Sequence, residues 1–184
     1  MKSISKMMTH LIFIMMLSIT SVATASSTDA MNISETTRIT QAMELYAQAV
    51  PMDVSSTERT KLLNQSESIL NDVIEKNPKS LDAHRKLMGV YLQMRDYRKA
   101  ILTMQTAISL SPDDPKLYIA LAILYDHQGA YEYAVPILDQ ALELDSNNKL
   151  AQDYKVSIEQ KIEQQRLAME SSAAPHKAAI PHSK

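Results

Sequence analysis

The chain repeats itself without a gap. Leu81–Asp114 and Pro115–Asn148 are consecutive blocks of equal length that agree at Leu87/Leu121, Tyr91/Tyr125, Tyr97/Tyr131, Ala100/Ala134, Ala107/Ala141 and Leu110/Leu144. The identities fall at helical spacings. Leu and Tyr four apart share one face of a first helix, and Ala, Ala and Leu at steps of seven and three share one face of a second. Two short helices cannot bury both apolar stripes by themselves, so such units must stack on one another.

In detail the pattern resembles the tetratricopeptide repeat (TPR), which runs large–x2–Leu–x3–Tyr, then Ala–x3–large–x2–Ala, then Pro. Here it reads His84, Leu87, Tyr91, Ala100, Met104, Ala107, Pro112, and again Tyr118, Leu121, Tyr125, Ala134, Leu138, Ala141. Ser146 replaces the last Pro, and the small residue after the Leu is Met88 in one copy and Ala122 in the other. The resemblance implies an all-α fold, a right-handed superhelical stack of helix–turn–helix units.

Upstream, residues 35–80 read as a degenerate first unit. Ile39, Ala42, Met43, Tyr46 and Val50 share a face over Thr36–Val50, and a second helix covers about Glu58–Lys76. Ser66, Leu70, Val73 and Pro78 stand one full repeat before Ala100, Met104, Ala107 and Pro112, whereas the first helix is displaced by an enlarged turn around Pro51. A plain helical hairpin capping the array is the alternative. Asp96 and Gly129 fall in the turns inside the two clear repeats, Pro112 and Pro115 punctuate the turn between them, and Pro136 is expected in the first turn of its helix. Residues 149–171 are expected to form a capping helix with Leu150, Tyr154, Ile158 and Ile162 on its packed stripe. Gln152, Lys155 and Glu159 stand where a further repeat would need apolar residues, and Glu159–Arg166 should face water. Residues 172–184 lack periodicity and read as a disordered tail.

Residues 1–25 have the form of an export signal. Lys2 and Lys6 precede the apolar run Leu11–Leu17, and Ala23–Thr24–Ala25 supplies a cleavage site. Residues 26–34 follow as a flexible lead-in. The expected location is the periplasm, with no stable membrane anchor once the signal is cut. The absence of cysteine excludes disulfides, thiolate metal sites and catalytic thiols. A net charge of −2 argues against a nucleic-acid partner. His84 and His127 do not share a helix face, and His176 and His182 sit in the tail, so no metal site is expected. No catalytic triad, phosphate loop or carboxylate pair stands out, and neither a cofactor nor enzymatic activity is expected.

In TPR proteins the first helices line a concave surface. By that resemblance the partner-binding groove comprises Asp82, Arg85, Lys86, Gly89 and Gln93 from one repeat. Lys116, Ile119, Ala120, Ile123, Asp126 and His127 come from the next, and Thr40, Gln41 and Glu44 from the first unit. Ile119 and Ile123 are expected to form an exposed apolar strip beside a basic spot of Arg85, Lys86 and Lys116. The implied function is non-catalytic binding of a protein or peptide by an envelope adaptor or assembly factor. Pilus assembly, secretion and cytochrome maturation all use such proteins, and a self-assembling homo-oligomeric scaffold is the other class. The intact mass of the exported protein should begin at Ser26; a membrane-bound species that retains Met1–Ala25 would overturn the cleavage assignment.

Overall fold

A computed structural model describes residues 34–173, which form seven helices and, among those residues, no strand. The leader, the lead-in as far as residue 33 and the tail from residue 174 lie outside the described residues. The chain divides into two compact units, with the boundary after Pro78.

The first unit is a hairpin of α1 (residues 34–49) and α2 (Thr57–Lys76). Ile39, Ala42 and Ala49 of α1 are buried, as are Leu62, Leu63, Leu70 and Val73 of α2. Ser56 caps α2 by accepting from the Arg59 amide, satisfying one of the helix's orphan donors. Ser66 is fully buried at the place where the later repeats carry Ala100 and Ala134. A buried hydroxyl needs a partner, and its Oγ donates to the Ala42 carbonyl at 2.8 Å. Arg38 bonds Asp72 at 2.7 Å and Asn77 bonds Glu35 at 2.8 Å, closing the other end of the hairpin. Val50, expected on the packed face, is exposed, because the helix already ends at residue 49 ahead of Pro51.

The second unit contains α3 (Leu81–Gln93), α4 (Tyr97–Leu110), α5 (Pro115–His127), α6 (Tyr131–Leu144) and α7 (Lys149–Ala173). Ser80, Asp96, Asp114 and Asn148 each accept a backbone amide at the start of a helix, and Pro115 occupies a first-turn position where its missing N–H costs nothing. The turns inside the two repeats share one geometry. Gly129 has φ 71°, and Arg95, its counterpart one repeat earlier, has φ 60°. In both turns the next amide reaches back five residues: Asp96 to the Tyr91 carbonyl and Ala130 to the Tyr125 carbonyl, each at 2.9 Å. The left-handed position therefore falls on Arg95, and Asp96 is the cap that follows it. Pro136 also sits later than expected, as the sixth residue of α6, so the Glu132 carbonyl lacks its usual i+4 donor.

Ala100, Ala107, Ala134 and Ala141 are all completely buried, so the second helices approach their neighbours closely along these stripes. Aromatic contacts repeat with the same period. Lys99 Nζ lies 5.0 Å from the centre of the Tyr91 ring, and at the equivalent place Tyr133 stacks on Tyr125 at 5.5 Å. His127 stacks on Tyr97 at 5.9 Å, and one repeat later Lys161 lies 5.5 Å over Tyr131. The last pair carries the repeat into α7.

The capping helix keeps the half of the pattern that faces backwards. Ala151 and Ile158, the counterparts of Leu117 and Leu124, are fully buried in a cluster with Ile119, Ala122, Ala134, Leu138 and Ala141. Glu159, the counterpart of Tyr125, is exposed and pairs with the partly buried Lys155, the counterpart of Leu121; no second helix follows among the described residues to cover them. Leu150 does not join the stripe and is 60% exposed, since the packed face is set by its neighbour Ala151. Within the run expected to face water, Ile162 packs against the core and Lys161 bonds Asp126, while Glu163 and Arg166 pair in solvent.

Arg95→Gly should raise stability by about 1 kcal/mol, because a left-handed conformation penalises every residue with a Cβ. Urea unfolding checks this; a loss of stability would mean the Arg95 side chain contributes more than the strain removes.

Candidate binding surface

At about 3.6 residues per turn, Asp82, Arg85, Lys86, Gly89 and Gln93 occupy a sector of about 100° on α3, opposite the buried Ala83, His84, Leu87, Val90 and Tyr91. His84 is held in that core by a 2.8 Å bond between Nδ1 and the Ser80 carbonyl. On the outward sector Asp82 and Arg85 are exposed, Lys86 and Gln93 half-buried. Asp82 and Lys86, one helical turn apart, approach to 4.0 Å. Arg85 has no acidic partner among the described residues.

The equivalent sector of α5 holds Lys116, Ile119, Ala120, Ile123 and His127, with Asp126 at its edge. Lys116 and His127 are exposed, and the remainder is largely occupied by the protein itself. Ile119 is only 4% exposed, so the expected apolar strip does not stand open. It belongs to the cluster with Ala151 and Ile158, and Ile123 packs against that same cluster. The physical reason is the position of α7, which covers the edge of α5 that an isolated repeat would leave bare.

Asp126 is likewise drawn into the fold. It accepts from Tyr154 Oη at 2.5 Å and from Lys161 Nζ at 2.5 Å, with 14% of its side chain exposed. Burial on its own raises the Asp126 pKa; the bonds from Lys161 and Tyr154 outweigh it and hold the carboxyl below its ordinary 3.8. Burial, followed by the bond to Asp126, pushes the Tyr154 hydroxyl well above its ordinary value. Tyr154 and Lys161 do not belong to the groove set read from the sequence. A signal for Lys161 exists there: it stands one repeat period after His127, in the register shared by the two blocks.

The structure thus leaves Asp82, Arg85, Lys86, Gln93 and Lys116 as the polar outer part of the surface, with Ile123 half-buried. Thr40, Gln41 and Glu44 are exposed on α1 of the other unit. Among the described residues no group of three or more His, Asp or Glu could hold a metal ion.

Residues 91–155, from the end of α3 into α7, match the tetratricopeptide repeat family model. The fold is a TPR-type helical repeat array. A stretch of 81 residues is 32% identical to the formate-dependent nitrite reductase complex subunit NrfG of Escherichia coli O157:H7, covering 42% of this chain and 41% of that protein. The chain therefore spans less than half of the curated relative it matches. A thermophilic TPR protein of Thermus thermophilus superposes with a TM-score of 0.59 at 24% identity, over 66% of this chain and 61% of that one. The TPR2AB domain of yeast Sti1, solved in complex with pHSP90, superposes with a TM-score of 0.53 at 15% identity, over 69% of this chain and 44% of that one. TPR arrays use extended concave faces to bind other proteins.

Asp126→Asn should cost about 1 kcal/mol at neutral pH, a value discounted because Lys161 remains partly in water. A depressed folded-state pKa contributes stability above the unfolded value and loses it as pH falls through the folded one. Urea unfolding of parent and variant should therefore differ most above the ordinary carboxylate range and converge as pH falls below the depressed Asp126 value. A pH-independent gap would show that the charge of Asp126 is not what matters.

Proposed function

We propose that this protein is a non-catalytic adaptor or assembly factor, and that the outward sectors of α3 and α5 bind an acidic segment of another protein. The observation that carries this reading is the pair of exposed cations, Arg85 and Lys116, without acidic partners among the described residues. Charge along the second unit supports it. Residues 79–116 hold seven Lys or Arg against four Asp, whereas residues 117–173 hold four against nine acids. Cations left unpaired at the basic end of an array steer an acidic partner and set its register more than they add affinity. The export-signal form of residues 1–25 supports a setting in the cell envelope. The similarity to a subunit of a nitrite reductase complex favours one particular role there, assistance to a redox enzyme during its maturation.

Parent, Arg85→Glu/Lys116→Glu and Arg98→Glu proteins should be compared as baits in envelope extract, and any captured partner then titrated against salt. Arg98→Glu reverses a single exposed charge on α4, outside the proposed surface. The double variant should lose the partner at an unchanged melting temperature, and parental affinity should fall as ionic strength rises. Retention by the double variant together with loss in Arg98→Glu would put the partner on the other face.

A further inference from the structure

Gly89 lies in the interior of α3, and nothing among the described residues accounts for it. Glycine inside a helix is among the least favourable residues there, so its presence usually answers a close approach or a left-handed φ. Neither applies. Its φ is not positive, in contrast to Gly129. A Cβ built at Gly89 would meet no atom within 4 Å, so no neighbouring helix requires the space. Nor is it the small packing residue of the repeat, which falls at Met88. Its counterpart in the next repeat is Ile123, a bulky side chain that packs against the core.

The missing side chain opens outward, on the same sector as Arg85 one turn before it and Gln93 one turn after it. We propose that Gly89 is a contact notch, where the backbone of an extended acidic segment crosses α3 between Arg85 and Gln93, with Arg85 and Lys116 meeting its carboxylates. This deepens, and rests on, the reading of the α3–α5 surface given above. The chemistry of the occupant follows from these two cations, which have no acidic partner among the described residues, and a peptide backbone is what a side-chain-free helix surface admits most closely.

The test uses the full chain and a twelve-residue peptide of alternating glutamate and leucine, acetylated and amidated so that no terminal carboxylate is present. A lysine–leucine peptide serves as the control. Gly89→Ala should raise the melting temperature by about 3 °C, as expected for alanine replacing an unneeded helical glycine. The same variant should weaken the acidic peptide by roughly fivefold or more, and Gly89→Leu further still, since added bulk holds the backbone away from the flanking cations. If Gly89→Ala stabilises the protein and binding is unchanged while Arg85→Glu weakens it, the notch is wrong and the surface reading stands. If Arg85→Glu also leaves binding unchanged, or the lysine–leucine peptide binds equally well, the surface reading falls with it. A lower melting temperature for Gly89→Ala would show that the space is needed internally and would overturn the notch.

Discussion

Close approach of helices along alanine stripes is the constraint on which the second unit depends. Ala100, Ala107, Ala134 and Ala141 have no exposed surface, and they stand at positions where any larger side chain would hold α4 and α6 away from the first helices. Interiors are packed as densely as organic crystals, so an added methylene is not absorbed. The first unit meets the same demand with a serine. Ser66 fits because its one polar atom is satisfied by the Ala42 carbonyl. Large residues then fill what the small ones leave: Met104 and Leu138 in the second helices, Leu117 and Leu124 in α5, all almost wholly buried.

A stack built this way needs an end. Here the end is a helix that retains the backward-facing half of the repeat and replaces the forward-facing half with charge. Ala151 and Ile158 seal the last interface, while Lys155 donates to Asp139 at 2.6 Å and lies 3.8 Å from Glu159. The seal has a consequence for the binding surface. Tyr154 and Lys161 reach across to Asp126, and Ile119 disappears under the same helix. What stays open is the basic part of the surface on α3 and the start of α5. That division of charge and apolar surface is the basis on which an acidic segment is proposed as the partner.

The repeat period, the helix bounds to within a few residues and the alanine stripes are all legible in the linear chain. Each is a local property: a helical periodicity, a repeated small residue, a proline behind a helix. Two local features are not. Arg95 takes the left-handed turn that a glycine takes in the next repeat, because the turn is imposed by the helices it joins and not by its own preference. Leu150 yields its place to Ala151, because a helix end contributes the residue that points at its neighbour even when that residue is the smaller one.

That this protein is an all-α repeat array, and which residues form its spine, follows from the linear chain alone, because stacking selects the same residue types at the same spacing in every copy. Which groove positions remain available depends instead on how the helices dock. Ile119 and Asp126 lie on the same helix as Lys116 and differ from it in being covered by α7. That cover depends on the angle at which a helix one repeat further along docks, which no local periodicity records. The open space at Gly89 belongs to the same class, since emptiness around a residue is a property of its neighbours and not of the residue itself.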